Sequence, residues 1–293
     1  MPQMKVGLFA PLANPWGTPE YLAALASGAE ERGFDSIWVA EHIVLFDDYA
    51  SKYPYSADGK IPAGGESGIF EPFTSLAFLA AHSSTIRLGT GICLVPQRNP
   101  VYTAKDVAAV DWLSNGRVDF GVGIGWLAEE FEAVGAPFAK RADRCREYLD
   151  VMKTLWADPV SEFHGEFYDL PACRHYPKPV QQPHPPIHFG GETDAALRRV
   201  ADIGQGWYGF GRNPEDVPAR VATLEKMLAD NGRTRADVEI SICPYLLGID
   251  PDKAKRYVDT GIDRLILMAF ASTPDELLTQ LDQLSKDIVE QVR

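Results

Sequence analysis

The sequence predicts an α/β fold of the (β/α)8 TIM-barrel type, on three observations. Short apolar runs alternate with amphipathic ones along the 293 residues, and eight of each can be counted. Eight βα units in a chain of this length match the barrel's repeat. The clearest unit, 87–126, reads as strand, helix and strand, and both strands break into glycine: Gly89 and Gly91, then Gly121, Gly123 and Gly125. A doubly wound open sheet is the alternative. It would carry G-x-G-x-x-G after its first strand, whereas here Gly121-x-Gly123-x-x is followed by Trp126 and lies behind the fourth.

The elements follow in order. Residues 4–10 form an apolar strand, and Thr18 then caps a helix whose first turn holds Pro19 and whose apolar face is Leu22, Leu25, Ala26 and Ala29. Gly33 ends it. Residues 35–40 are the second strand, which runs into Glu41-His42, and 70–83 are helical. Ile86, Leu88, Ile92, Leu94 and Val95 make the third strand. Asn99-Pro100 starts a helix that Ser114-Asn115-Gly116 stops, and Val118, Phe120, Val122 and Ile124 make the fourth strand. A long helix spans 140–157. Strands at 186–189, 206–210, 238–245 and 264–270 then alternate with helices at 193–203, 214–231, 251–260 and 274–289.

Barrels of this kind carry their active sites on the βα loops at the C-terminal ends of the strands. Two of those loops are long insertions, 43–69 and 126–137, the length expected of a lid or a substrate wall. A third insertion, 158–186, joins a helix to the next strand and contains a hairpin around Gly165.

Composition bounds the function. With 45% hydrophobic and 24% charged residues, residues 1–293 can bury one large core and are expected to form a single domain. No apolar run reaches the roughly 20 residues of a membrane helix, and the Met-Pro-Gln-Met start lacks a basic, apolar leader. Cys93, Cys145, Cys173 and Cys243 are widely spaced, as buried thiols of a cytoplasmic protein would be. A formal charge of −13 argues against nucleic acid and anionic membranes as partners.

Strand ends select the candidates for chemistry. His42 ends the second strand with Glu41 beside it, a group able to move a proton near neutral pH or simply to cap the strand. His82, His164, His175 and His184 fall in helix or insertion positions and read as structural; His188 lies within a strand. Gly190-Gly191-Glu192-Thr193-Asp194 opens a helix after the fifth strand, either as an anion site or as a plain turn capped by Thr193. The strand-end glycines suggest close approach of a flat ligand. Trp38, Trp126 and Trp207 can wall it or fill the core. Arg141, Arg144 and Arg146, with Asp143 and Glu147, read as a solvated helix face. No metal-ligand spacing, P-loop or nucleophile elbow occurs, and Glu41 has no second carboxylate opposite it for a glycosidase pair.

These residues resemble the luciferase-like monooxygenase superfamily. The likeness is carried by Ser36-Ile37-Trp38-Val39-Ala40-Glu41-His42, Arg87-Leu88-Gly89-Thr90-Gly91-Ile92, Asn99-Pro100, Gly116-Arg117 and Gly121-Val122-Gly123-Ile124-Gly125-Trp126. It extends through Glu129-Glu130-Phe131, Phe163-x-Gly165-x-Phe167-Tyr168, Pro177-Lys178-Pro179 and Gly190-Gly191. Within the superfamily the chain is most similar to the branch that uses the deazaflavin coenzyme F420, although FMN-using members share most of these motifs. The resemblance implies a flavin-like ring at the mouth of the barrel. His42 would stand beside the ring as the catalytic group, and Glu41 would contact the coenzyme. Gly91-Ile92 would form a bulge with a non-proline cis peptide behind the ring. Leu94, Ile124, Gly125 and Glu129 fall at coenzyme-contacting positions, while Gly190, Gly191, Thr193 and Asp194 fall along its phosphate-bearing tail. Trp126 stands in the substrate pocket where sugar-phosphate dehydrogenases of the family carry a glutamate, which argues against that activity.

The expected function is therefore hydride transfer between F420 and a small organic substrate. A reduced-FMN monooxygenase is the alternative, and a coenzyme-binding protein without catalysis is a reading from another class. A metal is not expected, and a homodimer is compatible with the sequence.

Overall fold

The computed structural model describes residues 3–63 and 65–292. Met1 and Pro2 of the chain start, Gly64 of the 43–69 loop, and Arg293 lie outside the described residues. The first half runs β1 (Lys5–Ala10), α1 (Pro19–Glu31), β2 (Ser36–Val39), α2 (Pro72–Ala81), β3 (Arg87–Thr90), β4 (Cys93–Leu94), α3 (Pro100–Leu113), β5 (Val118–Gly123), α4 (Ala128–Ala133) and α5 (Arg141–Ala157). An antiparallel hairpin, β6 (Ser161–His164) and β7 (Asp169–Cys173), follows. The second half runs β8 (Ile187–Gly190), α6 (Asp194–Ile203), β9 (Gly206–Phe210), α7 (Val217–Asp230), β10 (Glu239–Cys243), α8 (Pro251–Asp259), β11 (Arg264–Met268), α9 (Pro274–Leu284) and α10 (Glu290–Val292).

Every strand pairing outside the hairpin is parallel, and β3 pairs with β5 to close the ring. Since β3 and β4 are two pieces of one stave, the result is a closed eight-stranded (β/α)8 barrel. Local chemistry sets the helix starts. Thr18, Asn99, Thr193, Asp250 and Thr273 each accept a backbone N–H of the first helical turn, and Pro stands in the first turn of four of these five helices. Boundaries differ from the sequence expectation where a local group intervenes. The helix expected at 70–83 begins at Pro72, capped by the Glu71 carboxylate. The strand expected at 238–245 stops at Cys243, because Pro244 has no N–H to continue the ladder. Within the 126–137 loop, α4 is six residues long, too short to leave a periodic signal.

Two layers fill the barrel interior. Towards the N-terminal end, Asp119 is buried between Arg87, Arg264 and His188, with Arg87 Nε at 2.9 Å and Arg264 Nη1 at 3.6 Å. Burial alone would raise the Asp119 carboxyl, but the two guanidinium groups outweigh it and hold the pKa down, at about 2. Above this layer lies Trp38, fully buried, its Nε1 donating to Ser36 Oγ at 2.9 Å. Gly89 is needed beneath it, since a Cβ there would stand 2.4 Å from the indole. Trp38 and the buried Trp207 are therefore core rather than ligand walls.

At the C-terminal end the third stave breaks, and the Gly91–Ile92 peptide is cis. The break turns the Ile92 side chain across its neighbours. A Cβ on Gly123 would sit 2.0 Å from Ile92 Cδ1, and one on Gly190 would sit 2.7 Å from it. Gly121 likewise makes room for the Thr90 carbonyl, at 1.8 Å, and Gly91 for the Tyr208 hydroxyl, at 2.9 Å. The strand-end glycines thus accommodate the protein's own groups at the mouth of the barrel, and Gly91, Gly123 and Gly125 also line the cavity there. What they create is a shaped apolar floor.

Two measurements check this packing. Asp119 gains its stabilising partners only when ionised, so its contribution is fully present above its unfolded pKa of about 3.9 and is lost as pH falls through about 2. Urea denaturation across that range should show the loss. Asp119→Asn should lower stability by about 3 kcal/mol at pH 7, because the buried Arg264 and the half-buried Arg87 are left against a neutral amide. Gly123→Ala should cost about 2 kcal/mol by driving Ile92 off the floor. In the double variant with Ile92→Ala the loss should fall short of the two single losses added together, by about 1 kcal/mol. Strict additivity would mean that the two residues do not share this space.

Candidate active site

The C-terminal ends of all eight staves open into one cavity of about 1540 Å³. Its floor is Ile92, flanked by Leu94 and Ile124. Glu41, at the end of β2, is buried under the floor's edge, where its carboxylate accepts the Leu94 N–H and pairs with Arg98 Nε at 2.8 Å. Glu41 therefore holds the backbone of β4 in place after the chain leaves the sheet at Gly91.

His42, the next residue, lines the cavity. Its Nδ1 lies 3.1 Å from Glu130 Oε2, and the same carboxylate accepts the Ile43 N–H at 2.6 Å through its other oxygen. Glu130 is buried. A carboxylate only accepts, so the proton of this hydrogen bond belongs to Nδ1, and Nε2 is the ring nitrogen that Glu130 leaves free. Beside Glu130, Glu129 accepts the Ala50 N–H at 2.7 Å and the Ser51 N–H at 3.2 Å. Hydrogen bonds from the Ser51 hydroxyl and from these backbone groups pull its carboxyl down to about 2. The two neighbouring carboxylates of α4 thus fasten the first part of the 43–69 loop. Trp126 packs edge-on against the His42 ring, at 5.8 Å between centroids, and against Tyr53 from the loop, at 5.2 Å.

On the other side of the floor the chain passes through Gly190 and Gly191, the latter at φ +109°, before α6 begins. The Thr193 hydroxyl accepts the Ala196 N–H at 3.2 Å, and Trp207 Nε1 donates to the Gly191 carbonyl at 3.1 Å, which fixes the turn. Arg141 and Arg199 face the same part of the cavity. Arg141 Nε donates to the Gly125 carbonyl at 3.1 Å, and Arg199 Nε is buried without a hydrogen-bond partner. Burial lowers the pKa of both, and each also feels a neighbouring guanidinium, Arg144 beside Arg141 and Arg141 beside Arg199. An anion would relieve both effects. Glu192 does not oppose it, for its carboxylate accepts the Phe210 N–H at 2.7 Å and pairs with Arg212 Nε at 2.6 Å.

The cavity therefore brings together Glu41, His42, Gly91, Ile92, Leu94, Ile124, Gly125, Trp126, Gly190, Gly191 and Thr193. Two other residues named from the sequence have different surroundings: Glu129 is held by the loop backbone, and the exposed Asp194 pairs with Arg220 at 2.8 Å. The solvated face read for the start of α5 is corrected. Arg141 lines the cavity, Arg144 is buried with its Nε on the Pro96 carbonyl at 3.0 Å, and the half-buried Glu147 accepts backbone N–H groups of the hairpin turn; Asp143 and Arg146 meet the expectation, both exposed, Arg146 against Asp202. Glu130, Arg199 and the tyrosines of the 43–69 loop were not singled out by sequence reasoning. Glu130 sat inside a quoted motif, whereas Arg199 looks like any cation on an amphipathic helix. Among the described residues no cluster of three His, Cys, Asp or Glu side chains is placed to hold a metal, and no helix is long and apolar enough to cross a membrane.

A sequence profile of luciferase-like monooxygenases matches residues 4–289. The uncharacterized protein Rv0940c of Mycobacterium tuberculosis H37Rv is 34% identical over 243 residues, covering 83% of this chain and 83% of that one. The FMNH2-dependent dimethylsulfone monooxygenase of Pseudomonas putida is 30% identical over 163 residues, 55% of this chain and 44% of that one. Among solved structures, the coenzyme F420-dependent tetrahydromethanopterin reductase of Methanopyrus kandleri shares the fold with a TM-score of 0.76 at 17% identity, covering 99% of this chain and 100% of that one. With its profile match spanning nearly the whole barrel, the chain belongs to the luciferase-like monooxygenase family, whose members are enzymes.

Proposed function

We propose that this chain is a cytoplasmic, single-domain oxidoreductase that moves a hydride between coenzyme F420 and a small organic substrate. The observation that carries the reading is the His42–Glu130 pair at the edge of the Ile92 floor. The residues present fit such a coenzyme. Ile92, Leu94 and Ile124 offer a flat apolar bed, and the turn at Gly190–Gly191 with Arg141 and the unpartnered Arg199 offers an anion site for a phosphate-bearing tail. The bound deazaflavin would supply the hydride-carrying ring.

The protein's own groups then do the rest. Glu41 keeps the β4 backbone in register beneath the ring. Glu130 holds the His42 imidazole so that Nε2 gives or takes the proton that accompanies the hydride. Trp126 and the 43–69 loop cover the cavity and exclude water. Because Trp126 stands in place of a second acid, His42 is the only proton carrier assigned here. A second reading, oxygenation driven by reduced FMN, is favoured by the activity that the Pseudomonas putida relative is named for.

Isothermal titration should show F420 binding more tightly than FMN. Tight binding of FMN alone, or oxygen consumption driven by reduced FMN, would replace the first reading with the second. His42→Ala should slow single-turnover hydride transfer by about 10²–10⁴-fold while coenzyme affinity stays within about tenfold. Glu130→Gln should lower the same rate less, again with little change in affinity. Glu41→Ala should show the reverse balance, weakening coenzyme binding more than the chemical step. If His42→Ala reacts at the wild-type rate in a sample shown to be folded, the proton carrier lies elsewhere.

A further inference from the structure

The cavity exceeds the roughly 300–1,000 Å³ that a single drug-sized ligand fills, and its two sides differ in chemistry. One side holds the glycine turn and the two arginines. The other is a continuous run of aromatic rings delivered by five separate segments. From Trp126 the run passes to Tyr53 at 5.2 Å and on to Tyr55 at 5.5 Å, both in the 43–69 loop. Phe210, at the end of β9, follows at 4.9 Å, and Tyr245, just beyond β10, at 4.5 Å. Phe9 of β1 closes the run against Phe210 at 5.4 Å. All six rings line the cavity. Most of the contacts are edge-to-face, so the wall presents ring edges and ring faces in alternation.

Charge on this side is already compensated. Glu192 and Arg212 neutralise each other, and the Glu192 carboxylate is further occupied by the Phe210 N–H. Lys52, next to Tyr53, also lines the cavity, but it is solvent-exposed, so its ammonium is hydrated and repays little of an anion's lost hydration. A charged ligand seated against the rings would lose its hydration without gaining a buried partner. The phenols of Tyr53, Tyr55 and Tyr245 offer neutral hydrogen-bonding groups, since burial pushes all three above their usual range.

We propose, resting on the reading that the arginine side holds the coenzyme, that the aromatic wall is the substrate site and selects a neutral molecule bearing a flat ring. Phosphorylated, carboxylated and linear aliphatic compounds are rejected. Such a ring adds its own edge-to-face contacts to the run, while a linear chain gains only dispersion and an anion loses hydration.

The test titrates four probes into the protein, alone and loaded with F420 or with FMN: coumarin, 2-naphthoate, octan-2-one and glucose 6-phosphate. Coumarin should bind at least about tenfold more tightly than each of the others, the factor expected from two aromatic contacts. It should bind together with the coenzyme rather than compete with it. Phe210→Ala and Tyr55→Leu should each weaken coumarin by about fivefold and leave coenzyme affinity unchanged. The second variant sits on a loop and guards against misfolding of the first. Equal binding of octan-2-one or 2-naphthoate overturns the proposal, as does competition between coumarin and coenzyme, or indifference of coumarin to both variants. Failure of both coenzymes to bind removes the reading given under the proposed function, while the order of the four probes on the unloaded protein still decides the character of the wall.

Discussion

The side chain of Ile92 occupies room that two other strands vacate by carrying glycine, and most of the cavity's geometry follows from that packing. Because Gly123 and Gly190 have no Cβ, Ile92 can lie across them, and the third stave can leave the sheet without opening a hole. The departure would orphan the Leu94 N–H, and the buried Glu41 takes it. A buried carboxylate needs a counter-charge, which Arg98 supplies. Arg98 in turn reaches Glu71, the residue that caps α2, and lies over the Phe73 ring. A floor made by one side chain is thus secured through a chain of charge and hydrogen bonding that ends in the outer helical layer.

The second organising element is α4, a helix of only six residues. Its adjacent glutamates do different work. Glu130 orients His42 and the backbone just after it, and Glu129 gathers the backbone at Ala50 and Ser51. Ser51 answers by accepting the Ala128 N–H at 3.0 Å. The order of the loop and the orientation of the imidazole therefore depend on one short helix, and the chain on either side of it is held from α5, by Arg141 at the Gly125 carbonyl and by Arg144 at the Ala139 carbonyl.

Much of the barrel was legible in the sequence because its signals are local. Thr18, Asn99 and Thr193 announce helix starts through their own side chains, and the apolar runs of the staves repeat eight times. His42 was legible for the same reason: it ends a strand, and strand ends converge in this fold. The partners of these groups were harder to see, because they are set by contacts across long sequence separations. Glu130 meets His42 from 88 residues away, and nothing near either residue announces the other. The glycines marked the right place, but a missing Cβ does not say that an isoleucine from another stave fills part of the gap. Arg141 and Arg144 share a helical charge pattern with the exposed Arg146, and only the tertiary packing separates them.

The fastening of the 43–69 loop has a consequence for how such a protein can change over time. The glutamates of α4 grip it only as far as Ser51, whereas the rings it lends to the cavity wall, Tyr53 and Tyr55, come after the grip. Replacement, lengthening or shortening beyond Ser51 leaves the hydrogen bonds that Glu129 and Glu130 make in place. The stretch that lends rings to the cavity wall is thereby uncoupled from the stretch that fixes the imidazole. One can be rewritten for new chemistry of recognition without the other having to be reinvented.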